Sequence, residues 1–300
     1  MKMSRTQLFS EGFSILMRCG PMWLVAVAVA VVDLLLGLVL PAAGILGTVL
    51  GTLRGALTRA FLTGALIVLA NDVADHRPTS FGGGFAAGAR FFLPLLGVGL
   101  ILALPSLAFG QLVSLFLAPL ASQIPQNPDV ASLQKMLATL GLMLCVLLPL
   151  LLLAWLLVSG ITGALGVGAE RAVALEGANV WRALKRGWDL LTEKLGDIFV
   201  IGLIMLGVWI VFYIFFGCAA VIVGLGASLA SLGNATSEVS RLEGNPVFNI
   251  IHALLTIPIE IWFSVVWTLA FRRWQGRLGD VSPFVEGAVP PPAIPPIEGQ

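Results

Sequence analysis

Charge is the scarcest ingredient of this 300-residue chain, with Asp, Glu, Lys and Arg making up 11% of it against 58% apolar residues. A water-soluble domain normally carries about a quarter of its residues charged, so this composition excludes one. The net charge of +1 leaves no basic surface of the size that nucleic acid requires, and no nucleic-acid partner is expected. Histidine is limited to His76 and His252, which fall on opposite sides of a membrane in the expected topology and cannot share a metal. Cys19, Cys145 and Cys218 are odd in number and lack CxxC spacing. They read as small apolar residues of packed helices, not as disulfides or metal ligands.

Catalytic patterns are missing as well. The chain has no HExxH, P-loop or nucleophile-elbow motif, and nothing like the paired-aspartate signature of membrane phospholipid synthases. The sequence predicts no enzyme, no catalytic residue, no metal and no cofactor.

What the chain does have is six apolar stretches, approximately Pro21–Leu40, Gly44–Ala70, Phe91–Leu117, Leu137–Val167, Ile198–Leu232 and Val247–Phe271. A spanning helix needs about 20 mostly apolar residues, so each qualifies. The segments between them are too short to bury a core, which predicts one six-helix membrane domain over residues 1–277. The first apolar run starts at Pro21, behind Glu11 and Arg18, and is too long for a cleaved signal peptide. A Pro-rich segment, 278–300, should be a disordered cytoplasmic tail.

Basic residues fix the expected orientation. Lys2, Arg5 and Arg18, then Arg77 and Arg90, then Arg171, Arg182, Lys185, Arg186 and Lys194, then Arg272, Arg273 and Arg277 all fall on one side. Only Lys135 and Arg241 fall on the other, and Arg54 and Arg59 are within a span. Cytoplasmic loops retain positive residues, so both termini are expected in the cytoplasm. Arg, Gly and Ala in place of Lys give a GC-rich bacterial impression, and the expected location is the bacterial cytoplasmic (inner) membrane. The Asn234-Ala235-Thr236 acceptor pattern on the outer side has meaning only in a eukaryotic secretory pathway.

The chain also matches itself at an offset of 99. Leu62-Thr63-Gly64-Ala65-Leu66 reappears as Ile161-Thr162-Gly163-Ala164-Leu165, and Gly88 falls on Gly187. A fainter copy aligns Phe9, Gly12 and Phe13 with Leu184, Gly187 and Trp188. The predicted unit is an amphipathic segment followed by two spans, over about 5–70, 80–168 and 178–275.

In the third copy Asn179 is a candidate cap, and Val180, Trp181, Leu184, Trp188, Leu191 and Leu195 share a helical face. Arg182, Lys185, Arg186, Asp189, Glu193 and Lys194 lie opposite. Such a helix is expected in the cytoplasmic interface, its tryptophans at headgroup depth and its basic residues near phosphates. The plain alternative is that these segments are the ends of long spans. The middle copy, capped by Ser80, contains Gly82–Gly84 and is expected to be a poor helix. Gly160, Gly163 and Gly166 offer a surface for close helix approach.

Three ionisable residues fall at membrane depth: Asp33, Arg59 and Glu260. Each lies about a dozen residues from a cytoplasmic span end, hence roughly 16–18 Å deep. A charge there costs at least about 2.5–3.5 kcal/mol, so each requires a partner or a purpose. Spans 1 and 2 form a hairpin, which predicts Asp33 opposite Arg59, with Arg54 reaching the outer surface. The group reads either as a structural ion pair or as a solute or proton path, with Pro258 freeing a carbonyl near Glu260. Asp72, Asp75, His76 and Arg77 make a polar cluster suited to a phosphate or divalent ion, or simply a solvated turn closed by Pro78. Glu170, Arg171 and Glu176 read the same way.

The segment ERAVALEGANVWRALKRGWDLLTEKLGDIF (170–199) carries Leu175-Glu176-Gly177, Ala183-Leu184, Arg186-Gly187-Trp188 and Leu190-Leu191 ahead of span 5. It resembles bacterial six-span proteins that include the membrane domain of some glycerophosphodiester phosphodiesterases and uncharacterised stand-alone relatives. Gly187 stands where that group usually has serine. The resemblance implies an integral membrane protein of undefined role. The phosphodiesterase activity belongs to a separate soluble barrel, and no catalytic residue carries over.

The sequence therefore predicts an all-α integral membrane protein that is non-enzymatic. It would organise lipids, a protein partner or a homo-oligomer through Trp181, Arg182, Lys185, Arg186 and Trp188. The alternative is a small-solute or ion transporter or channel using Asp33, Arg59 and Glu260.

Overall fold

The computed structural model describes residues 5–39, 44–122, 130–230 and 246–276. The Pro-rich tail, Lys135, the Asn234 pattern and the side chains of Cys145, Cys218 and His252 lie outside the described residues. Among the described residues all regular structure is helical: α1 (Arg5–Arg18), α2 (Gly20–Val39), α3 (Gly44–Ala74), α4 (Phe81–Ser122), α5 (Val130–Glu176), α6 (Val180–Ala230) and α7 (Pro246–Trp274). α2 to α7 are each long and apolar enough to cross a bilayer. The chain is an all-α multi-pass membrane protein.

The three segments that precede span pairs differ in how they join their spans. α1 is a separate helix. Pro21 has no N–H to continue its ladder, and the chain turns at Cys19, whose N–H bonds Ile15 O at 2.9 Å while its carbonyl accepts from Met22 N at 3.1 Å. The middle segment is continuous with its span in α4. The third is continuous in α6 except at Lys194, where φ −122° and ψ 21° mark a kink.

The glycine run 82–84 is helical, contrary to its propensity. Ser80 caps it, with Oγ accepting from Gly83 N at 3.1 Å. A Cβ at Gly84 would lie 2.7 Å from a Leu69 methyl group, so tertiary packing selects glycine there. Pro258 also leaves α7 unbroken; no discontinuous helix forms beside Glu260.

α7 is the hub of the bundle. Ile261, Val265, Val266, Leu269, Ala270 and Phe271 are fully enclosed. One side packs with α1, α2 and α3 and the other reaches the α4–α5–α6 cluster through Phe271. Apolar burial gives helices in lipid little reason to associate, so shape and small residues decide the packing.

The close approaches fall at Gly12, Gly88 and Gly187, one in each pre-span segment. A Cβ at Gly12 would meet Val266 at 2.7 Å on α7. At Gly88 it would meet Phe61 O at 3.0 Å on α3, and at Gly187 it would meet Leu165 O at 2.6 Å on α5. Gly160 and Gly163, expected to mediate close packing, have nothing within 4 Å, and Gly166 has a Leu102 methyl group at 3.3 Å and Glu170 Oε1 at 4.0 Å. The α5–α6 crossing is instead made by Gly168 and Gly187, where a Cβ on Gly168 would lie 2.9 Å from Gly187 Cα. Two glycines facing each other let the backbones touch.

Gly187→Ala should therefore destabilise the purified protein by about 1–3 kcal/mol. Gly202→Ala, with open space around it, should be neutral or stabilising by up to about 1 kcal/mol. Thermal unfolding in detergent reads both, and equal responses would contradict the crossing.

Candidate functional site

The structure changes the pairing expected at membrane mid-depth. Asp33 is met by Arg54, with Nε 3.2 Å from Oδ1, and not by Arg59. Arg54 Nε lacks hydrogen-bond geometry, so the link is a charge contact; Thr58 Oγ1 lies 3.3 Å from Asp33 Oδ1 and shares its one proton between that carboxylate and Arg54 O at 3.0 Å. The reason is helical phase. Arg54 and Thr58 are four apart on the α3 face that meets α2, whereas Arg59 is turned about 100° away.

Gly37 completes the arrangement. It lies one turn beyond Asp33 on α2, and a Cβ there would fall 2.2 Å from Arg54 Nη1. The guanidinium occupies the space that glycine leaves, instead of snorkelling outward. The sequence signal for this pairing is the Asp33–Gly37 spacing opposite Arg54–Thr58.

Arg59 and Glu260 are exposed on the protomer, with no ion pair within 4.0 Å between them among the described residues. Arg59 is nonetheless the charge that acts on Glu260 through space. Of the expected trio, Asp33 is paired outside the group, with Arg54, and Arg59 and Glu260 are left as open charges.

A second polar group lies at the end of the bundle where α3, α5 and α7 terminate. Arg272 is only 7% exposed. Its Nη1 donates to Asn71 O at 3.2 Å and to Asn71 Oδ1 at 2.7 Å, and its Nη2 bonds Asp75 Oδ1. That hydrogen bond, with the adjacent charge, holds the Asp75 carboxyl below the usual carboxylate range. Arg77 contacts Asp72 at 3.7 Å and Asp75 at 3.5 Å. Glu11 of α1 lies in the field of His76 and Arg272, yet burial dominates and pushes its carboxyl up.

Arg171 is fully enclosed. Its Nη2 donates to Ser264 O at 3.3 Å on α7, and Nη1 to Val167 O at 3.1 Å and Glu170 Oε2 at 3.4 Å. Glu176 accepts from Gln275 Nε2 and lies 3.5 Å from Arg186 Nε. Within the expected cluster of Asp72, Asp75, His76 and Arg77, the two acids join a network whose other members, Arg272 and Asn71, carry no local sequence signal. Among the described residues no group of three or more His, Cys, Asp or Glu side chains is placed to hold a metal.

The α6 segment has three faces, not two. Ala183, Gly187 and Leu190 are buried against α5, forming a small-residue stripe that an apolar-versus-polar division overlooks. Trp181 is 77% and Trp188 54% exposed, so both point away from the bundle. Arg182 and Lys185 are exposed, while Arg186 is engaged by Glu176. Asn179 caps the segment, Oδ1 accepting from Arg182 N at 3.0 Å.

The Asp33–Arg54 assignment predicts strong coupling. Asp33→Asn and Arg54→Gln should each destabilise, and the double variant should recover at least about 1 kcal/mol relative to their sum. The same cycle with Arg59→Gln should be additive. Denaturation in detergent distinguishes the two, and coupling to Arg59 alone would restore the pairing expected from depth.

No curated protein and no solved structure matches the chain. A family model described as a domain of unknown function, DUF7847, matches residues 3–271. Reaching from α1 into α7, that match makes the chain a member of the DUF7847 family.

Proposed function

We propose that this protein is a non-enzymatic component of the bacterial cytoplasmic membrane that gathers anionic lipids, and through them partner proteins or further copies of itself, at the cytoplasmic leaflet. The observation that carries this reading is the α6 surface. Trp181 and Trp188 project outward at the start of a span, beside exposed Arg182 and Lys185. Indole rings favour headgroup depth, and each basic residue near an anionic surface contributes about 1 kcal/mol.

The arrangement of the pre-span segments supports an internal three-copy repeat. Each segment packs its glycine on the span that closes a copy: Gly12 on α7, Gly88 on α3, Gly187 on α5. The similarity of residues 170–199 to six-span membrane domains of glycerophosphodiester phosphodiesterases is consistent with a lipid-facing role. Here Gly187 matters, because the serine usual in that group would require α5 and α6 to separate.

Purified protein in mixed phosphatidylglycerol–phosphatidylcholine nanodiscs tests the reading. Arg182→Gln with Lys185→Gln should lower phosphatidylglycerol enrichment by about 1 kcal/mol per charge while unfolding stays unchanged. Unaltered enrichment would remove it.

A second reading rests on Arg59 and Glu260, which stay open at mid-depth: a small-solute or ion path, with Asp33 held by Arg54 as a fixed member. It requires flux in liposomes that Glu260→Gln abolishes without reducing accumulation of the protein. Absence of flux from the wild type would discard it.

A further inference from the structure

A cleft of about 420 Å³ opens at the arginine-rich end, between α3, α4, α5 and α7. It lies outside the α6 surface, and its chemistry is independent of the role proposed for Arg182 and Lys185. Five charged side chains line it: Asp72, Asp75, Arg77, Arg90 and Arg272.

Their pairing leaves one charge over. Asp75 is held by Arg272, and Asp72 is met by Arg77 at 3.7 Å. Arg90 has no carboxylate within 4.0 Å among the described residues, and its guanidinium lies 5.3 Å from the centre of the Phe91 ring, which orients it. Arg77 is 65% exposed and holds its acids only loosely. Arg272 is buried and already held by Asn71 and Asp75. The cleft therefore has the charge to accept one negative group and donors left to bind it.

Two features choose among phosphates. With two carboxylates in the lining the surplus is a single positive charge, which suits the monoanion of a phosphodiester better than a doubly charged phosphate monoester. The lining is also partly apolar, through Phe91 and through Val68, which lies about 10 Å along α3 from Asp75. A free phosphate has no use for that wall, whereas a lipid places the start of an acyl chain there.

We propose that this cleft binds one phospholipid by its phosphodiester. Arg90 is the principal donor, Arg77 swings from its acids to assist, and Val68 and Phe91 line the path of the chain.

Native mass spectrometry of the full-length protein in detergent, titrated with phosphatidylglycerol, tests this. The wild type should retain one lipid more tightly than the rest and should not retain diacylglycerol, which lacks the phosphate. Arg90→Gln should weaken that lipid about tenfold, as expected for loss of a charge-assisted contact. Arg90→Lys should fall between. Because Arg90 is exposed and makes no ion pair among the described residues, the unfolding temperature should not change. Arg182→Gln with Lys185→Gln should leave this lipid in place, which separates the cleft from the α6 surface.

Equal affinity in Arg90→Gln, or equal retention of diacylglycerol by the wild type, would overturn the proposal. Displacement of the lipid by inorganic phosphate at equal concentration would replace the lipid assignment with a soluble phosphate site.

Discussion

The bundle depends on keeping α7 in its place, and buried arginine does this. Arg272 has almost no contact with solvent and spends both terminal nitrogens on the last turn of α3, through Asn71 and Asp75. About 12 Å further along the same helix, Ser264 O accepts from Arg171 of α5. Hydrogen bonds to charged groups contribute about 1.5–3 kcal/mol each. That is large beside a typical total of about 5–15 kcal/mol, and larger still in effect where apolar burial does little to bring helices together. Two guanidinium groups thus fix the depth of α7 against both halves of the molecule. The glycine crossings then set how near the helices stand.

The ends of α3, α5 and α7 are built alike. His76, Gly177 and Gly276 each take a left-handed conformation, with φ of 56°, 65° and 68°. After α3 the chain closes with Arg77 N bonding Asp72 O and His76 N bonding Val73 O, a Schellman-type stop. The residue before each stop is polar: Asp75, Glu176 and Gln275. Asp75 binds Arg272, and Glu176 binds Gln275. Equivalent positions of a threefold repeat would converge in this way near a common axis. With an amide at Gln275, two of the three positions bond to each other where two carboxylates would repel.

Much of this is legible from composition and spacing because lipid imposes strict rules on both. All six spans can be read from the chain, with the polar segments ahead of them, since run length and helical phase need no tertiary information. The errors come from contacts. Depth along the helix places Asp33 opposite Arg59, but depth ignores azimuth, and Arg54 with Thr58, not Arg59, lies on the face that meets α2. Intrinsic propensity argues against a helix at Gly82–Gly84, although Leu69 occupies the room that a side chain at Gly84 would need. Gly160 and Gly163 have the spacing of a packing motif and face open space, while Gly168 and Gly187 make the crossing. From sequence Arg272 is only one of the residues setting orientation. Nothing in its local sequence shows that the end of α3 encloses it.

Satisfied and unsatisfied charges divide the molecule between architecture and function. Arg54, Arg171 and Arg272 have partners in neighbouring helices, and removing any of them would leave a polar group there without its partner. They are explained by the fold alone. Arg90, Arg182 and Lys185 make no ion pair within the protomer among the described residues, yet all belong to the same end of the bundle. The fold gains nothing from positive side chains left open there, whereas a phosphate-covered leaflet answers each of them. Arg59 and Glu260 are open in the same sense but at a depth where no phosphate waits, so lipid does not explain them. Their counterpart must be each other, a solute, or another polypeptide. We therefore propose lipid as the counterpart of the headgroup-level charges, with the mid-depth pair as a separate element.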